Sequence, residues 1–547
     1  MMKCFIHRLR LPSKGKSHRR ILLFTLSALT LSLGCRGQFP EAQSQPTEVL
    51  ARLHFGGFDQ LGATTNAATL WDVWKLPVTA ELRDQALDKL SVRLAQSFSH
   101  DTNAPAAMPN VPALIRPMLD DLLRSESFFE LRGRSIQPFE WALAVHLDKE
   151  REPLWRTNWS QLSSLWNPKS TALTNRVSFT ALNAWFLLGS LPESEHGFPT
   201  NAAIYQQIRT HSRPISLAQD YWLKAEINLP RLLGRAPFDP SLPLPSLDLT
   251  LKGRGPTVRA QGRLTFSETM SWSLEKWRIP TNTISDPANS LIAFSAIQGF
   301  GPWLSRHKLT AELGLKSPPN QAYFWAHDPS RLPNQILAAL PVPNVTNTLQ
   351  NFISEWVPRL NTNLLEDGYG RIEYVTNELQ VSWGWLPPVI RPYIRPAPEP
   401  GGDHLEAGVF PLVTMTNTPP PAALLDQLSS RTNLLFYDWE ITQHRLEQFS
   451  NLMPFLSLFL TVPERDATSI SSRWLAAVAP KLGNTITEIA ATSPKELSLV
   501  RNSHIGFTGA ELMTLAYWLD STNFPAANFR LGFKPIPRST KPAPPAP

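Results

Sequence analysis

Hydrophobic positions along this chain recur with two periods, one near 3.6 and one of two. Steps of three and four mark helices. Pro77-Val78-Thr79 opens one such run, followed by Leu82, Ala86, Leu90 and Leu94. Trp155, Trp159, Leu162 and Trp166 share one helix face, and so do Val345, Leu349, Phe352, Ile353, Trp356 and Leu360. Thr508-Gly509-Ala510-Glu511 has the form of a capping box ahead of Leu512, Leu515, Ala516 and Leu519, with Phe507 placed to staple onto Leu512. Period two appears as hairpins. Leu247, Leu249 and Leu251 lead into Gly253-Arg254-Gly255-Pro256, and Val258, Ala260, Leu264 and Phe266 return. Ile372 and Tyr374 precede Thr376-Asn377-Glu378, with Leu379, Val381 and Trp383 beyond. Ile486 and Ile489 precede Ser493-Pro494-Lys495-Glu496, then Leu497 and Leu499.

Hairpins separated by helices predict an α+β fold of antiparallel sheets with amphipathic helices packed on them. Proline-rich stretches divide the chain into two to three domains. The reading is a signal peptide over 1–34, a tether over 35–47 and a domain over 48–234. A linker over 235–246 precedes a sheet-rich domain over 247–394, and a linker over 395–403 precedes a domain over 404–530. A disordered proline-rich tail over 531–547 closes the chain. The three domain segments carry no fixed-period repeat, although a shared layout is conceivable.

The first 34 residues change the picture of charge. Lys3, Arg8, Arg10, Lys14, Lys16, Arg19 and Arg20 precede an uncharged run from Ile21 to Gly34, the layout of an export signal. The run is short for a membrane span, which takes about 20 apolar residues. Ser32-Leu33-Gly34-Cys35 resembles the lipobox of bacterial lipoproteins. The resemblance implies cleavage between Gly34 and Cys35 and lipidation of Cys35. Cys4 is the chain's other cysteine, so the cleaved chain keeps Cys35 alone, with no disulfide partner. Without the seven leader cations, the 52 Lys and Arg become 45, equal to the 45 Asp and Glu. That balance argues against nucleic acid as a partner.

Candidate chemistry is sparse. The twelve histidines form no HxH, HxxH or HExxH pattern, so no metal site and no cofactor is expected. Ser273-Leu274-Glu275-Lys276 and Ser305-Arg306-His307-Lys308 match S-x-x-K, but no K-T-G accompanies them. His100-Asp101, His327-Asp328 and Asp403-His404 are neighbours in sequence, which does not make them catalytic dyads. Among 18 tryptophans, Trp383 and Trp385 flank Gly384 at strand spacing, where two indoles on one face would stack on a sugar or another apolar ligand. The Trp155 stripe reads as core, and core filling is also the favoured reading of Trp383 and Trp385, with the ligand platform as its alternative.

These readings favour an exported, lipid-anchored cell-envelope protein that is a non-enzymatic binding or structural module. It would lie in the periplasm or at the outer membrane of a two-membrane host. Expected partners are the membrane, through the N-terminal lipid, and an envelope protein or apolar ligand. The alternative is an exported hydrolase acting on carbohydrate or peptide.

Overall fold

A computed structural model describes residues 48–63, 66–98, 110–133, 140–165, 176–182, 184–191, 205, 208–209, 221–233, 243–280, 291–306, 318–327, 336–366, 370–383, 391–397, 402–409, 422–459 and 468–526. Among them, eighteen strands join one antiparallel sheet, so the fold is α+β. The leader, the tether, Cys35 and the tail lie outside the described residues.

One layout recurs four times: a strand, a helical excursion, then two strands that pair beside the first. The first copy is β1 (Glu48–Phe55), α1 (Phe58–Gly62), α2 (Ala68–Trp74), α3 (Pro77–Phe98), α4 (Val111–Arg124), β2 (Ser127–Gly133) and β3 (Glu140–His146). Helix α5 (Arg151–Leu165) and the hairpin β4 (Arg176–Leu182) and β5 (Trp185–Leu191) follow. The second copy is β6 (Leu223–Asn228), α6 (Leu229–Leu233), β7 (Ser246–Arg254) and β8 (Thr257–Thr265). The third is β9 (Leu291–Gln298), α7 (Gly301–Arg306), β10 (Gln321–His327) and β11 (Ile336–Pro341). It continues into α8 (Val345–Glu355), α9 (Val357–Glu366), β12 (Gly370–Val375), β13 (Glu378–Trp383), β14 (Tyr393–Ala397) and β15 (His404–Gly408). After α10 (Ala422–Ser429) the fourth copy is β16 (Leu434–Ile441), α11 (Thr442–Phe459), α12 (Ile470–Val478), β17 (Asn484–Ser493) and β18 (Glu496–Ser503), closed by α13 (Gly509–Asp520).

The copies join like strand to like strand. First strands pair at β1–β6 and at β16–β9, and third strands pair at β8–β18. A single register row therefore crosses the sheet from Ala181 in β4 to Tyr374 in β12, one residue per strand. Both ends of the row lie under helices. At one end Val145 and Phe186 pack with residues of α3, α4 and α5. At the other, Leu379 and Ile394 pack with residues of α8 and α9.

One sheet thus runs through all three segments that the prolines had divided. Residues 395–397 are strand and pair antiparallel with β15 inside the sheet, with Pro396 opposite Leu405. Pairing of β14 with β13 stops at Ile394, so the N–H that Pro396 lacks is not needed on that side.

The local patterns correspond to real elements. Leu82, Ala86, Leu90 and Leu94 are buried along α3, and Trp155, Trp159 and Leu162 along α5. The Val345–Leu360 run breaks at Trp356 into α8 and α9, because Pro358 cannot continue the ladder of N–H donors. Gly255 and Pro256 make the two-residue turn of β7–β8, with Gly255 at a φ of 56°. Thr376 and Asn377 both take positive φ, the primed turn that matches hairpin twist. Thr508 and Glu511 form the full capping box of α13, although Phe507 stays 42% exposed.

Candidate functional site

The central part of the register row breaks the apolar layer under the helices. From β8 to β11 it reads Ala260, Arg501, Thr487, Asp438, Ser295, Phe324 and Ala338. Polar side chains at a helix–sheet interface are costly unless hydrogen-bonded, and these are. Ser295 Oγ donates to Asp438 Oδ1 at 2.5 Å. Arg501 Nε donates to Thr487 Oγ1 at 2.9 Å and its guanidinium pairs with Glu511 of α13. Two residues along β16 on the same face, Glu440 Oε1 accepts from Gly509 N–H at 2.7 Å and from Thr442 Oγ1 at 3.0 Å. Thr442 in turn shares a hydrogen bond with Thr485 at 2.7 Å.

Electrostatics follow from this half-dry setting. Burial pushes the Asp438 carboxyl above its ordinary value, against the opposing pull of the Ser295 hydrogen bond and the Arg445 and Arg501 charges. Burial likewise raises Glu440, opposed by the Gly509 N–H, and the Asp438 charge adds to the rise. Burial lowers Arg445, which the two carboxylates partly offset. Arg445 on α11 donates to Gln448 Oε1, one turn further on. Gln448 is fully buried, and its Nε2 has no hydrogen-bond partner among the described residues.

The opposite face reverses this polarity. Under the third and fourth copies it is apolar, with Phe294, Tyr323, Trp325 and Tyr437 covered by Trp277 and by Leu424 and Leu428 of α10. Burial there pushes the Tyr437 hydroxyl up to about 12. Under the first copy it carries a smaller apolar cluster with Phe128, Ala142, Ala144, Trp185 and Leu187, and beside it a buried polar one. His54 Nε2 lies 2.8 Å from Glu126 Oε1, and Nδ1 lies 3.2 Å from the Tyr221 hydroxyl. Phe128 stacks on the imidazole at 3.9 Å.

The residues singled out in the sequence fall elsewhere. Trp383 ends β13 opposite Gly370 of β12, the last strand of the sheet among the described residues, while Trp385, Gly34 and Cys35 lie outside them. Ser273 and Lys276 share no helical turn. Their carbonyls accept from Asn320 and Gln321, which pin the segment outside any helix or strand. His327 and His404 are buried within β10 and β15, and His404 Nε2 lies 2.7 Å from the Arg278 carbonyl. Among the described residues, no group of three or more His, Cys, Asp or Glu is placed to hold a metal.

Asp438 and Glu440 were missed although their signal was present. The stretch Leu434-Leu435-Phe436-Tyr437-Asp438-Trp439-Glu440-Ile441 puts two acids on one face of an otherwise apolar strand. No protein family's sequence profile matches the chain, and no curated protein or solved structure matches it significantly.

Proposed function

We propose that this is an exported envelope protein, held to a membrane by a lipid on Cys35, whose folded body is a non-enzymatic binding module. One observation carries the binding reading. Phe324, in a strand paired on both sides, is 47% exposed beside the Ser295–Asp438 pair. An aromatic ring left open in mid-sheet next to fixed polar groups is the composition of a ligand surface. The acids around it also serve the fold, since Glu440 holds the start of α13 and Glu511 holds Arg501. The anchor is tested on detergent-extracted protein by intact mass and membrane fractionation. An added acyl mass with Cys35 as first residue is expected, and Cys35→Ser should release the chain from membranes or block its processing. An N-terminus elsewhere, or no acyl mass, overturns the anchor.

A hydrolase acting on carbohydrate or peptide is the second reading. It is favoured by Asp438 and Glu440, two carboxyls on one strand face whose proton affinities are both raised by burial. Glu440→Gln should then abolish turnover of a bound substrate while leaving it bound, and Asp438→Asn should abolish turnover as well.

A further inference from the structure

We propose that Phe324, Ser295 and Asp438, with Gln448 of the helix over β9 and β16, form a recognition site for a neutral saccharide ring. The inference rests on the binding reading above and names its ligand class.

The platform is built by the side chains around Phe324. Its row neighbours are Ser295 and Ala338, and its same-face neighbours along β10 are Ala322 and Ala326. Small residues on four sides leave the ring standing clear, which suits the flat apolar face of a pyranose. The polar edge lies one strand away. The Ser295 proton is committed to Asp438 Oδ1 at 2.5 Å, so the Ser295 oxygen is left to accept, as is the second Asp438 oxygen. Both would take hydrogens from ligand hydroxyls.

A donor completes the set. Helix α11 lies over β9 and β16, the strands that carry Ser295 and Asp438. Arg445 and Gln448 stand one turn apart on it and are bonded to each other, and Arg445 interacts electrostatically with both Asp438 and Glu440. The Gln448 amide is therefore held at the same helix–sheet seam. Its Nε2, fully buried and without a partner among the described residues, is a costly group for a fold to leave unmet. A ligand oxygen would meet it. The site's charges already oppose one another, with Arg445 and Arg501 near Asp438. A ligand with one apolar face, a hydroxylated edge and no net charge fits this balance better than an ion.

The test uses full-length protein in detergent and isothermal titration with maltohexaose, cellohexaose and chitohexaose, with sorbitol as the acyclic polyol control. At least one hexasaccharide should bind and sorbitol should not. Phe324→Ala and Asp438→Asn should each weaken binding by about tenfold or more, roughly 1.4 kcal/mol, while Phe324→Tyr keeps it. Circular dichroism melts check that each variant is folded. Failure of all three sugars at millimolar concentration, wild-type affinity in Phe324→Ala, or equal binding of sorbitol overturns the site. A chain that carries the acyl mass yet binds no sugar removes this inference alone. Release of reducing ends from a bound sugar removes the non-enzymatic reading and leaves the site standing.

Discussion

The side-chain amide of Asn361 bonds both backbone groups of Ile372. Its Oδ1 accepts the Ile372 N–H at 2.6 Å and its Nδ2 donates to the Ile372 carbonyl at 2.9 Å. Ile372 sits in β12, whose only strand partner among the described residues is β13. One side chain from α9 thus occupies the middle of an open sheet edge, where another strand would otherwise add. Asn361→Ala should cost about 1–3 kcal/mol, the usual worth of two hydrogen bonds. It should also self-associate at lower concentration than wild type in sedimentation velocity. Equal sedimentation of the two proteins would refute the edge-blocking role.

Trp155 is fully buried, and its indole N–H donates to Asp121 Oδ2 at 2.7 Å, a carboxylate also held by Arg151. Trp155→Ala should destabilise by about 3–5 kcal/mol through cavity formation. Trp155→Phe keeps most of the volume and removes one donor, so about 1–2 kcal/mol is expected. Denaturant melts of both variants separate packing from hydrogen bonding. Equal losses would mean that the indole N–H carries the effect.

At the start of α13, Thr508 accepts from Glu511 N–H and Glu511 accepts from Thr508 N–H. Thr508→Ala should cost about 1 kcal/mol. Glu511→Ala should cost more, because Arg501 loses its partner too. A chemical-denaturation series in which Thr508→Ala is the worse of the two would contradict this ordering.

That capping box was legible because its parts lie within four residues. The same holds for the helix stripe at Trp155 and the turn at Thr376-Asn377. The joining of copies was not legible. Asp438 meets Ser295 143 positions earlier, and Arg501 lies across from Ala260. Such pairings depend on which strand edges meet, and no local period encodes that. Proline misled for a related reason. Pro396 is compatible with a strand when one of its sides goes unpaired, and that follows from the neighbouring strand's length. The polar strip was half legible, since the acids of β16 are visible as a violation of its apolar pattern but their partners are not.

Asp438 and Glu440 give stability a definite dependence on pH. Burial raises both carboxyls above their ordinary values of 3.8 and 4.5. Once pH passes those ordinary values the unfolded chain has released protons that the folded chain still holds. The folded state then binds more protons than the unfolded state, so stability falls as pH rises. The fall spans the window from the ordinary values up to the raised ones, and it levels off above. Asp438→Asn keeps an oxygen to accept from Ser295 but cannot ionise, so it should lack its share of that fall. Its melting temperature relative to wild type should therefore be lowest in acid and climb with pH. His504 acts with the opposite sign. Burial lowers it, and its Nδ1 accepts the Gly483 N–H at 3.2 Å, so its contribution is lost as pH drops through the ordinary histidine value. Melts of wild type, Asp438→Asn and His504→Gln from about pH 3 to pH 8 resolve the two terms, each integrating to a difference in bound protons. A constant gap between wild type and Asp438→Asn across that range would mean that Asp438 titrates alike in the folded and unfolded chain, and the argument from burial would fail.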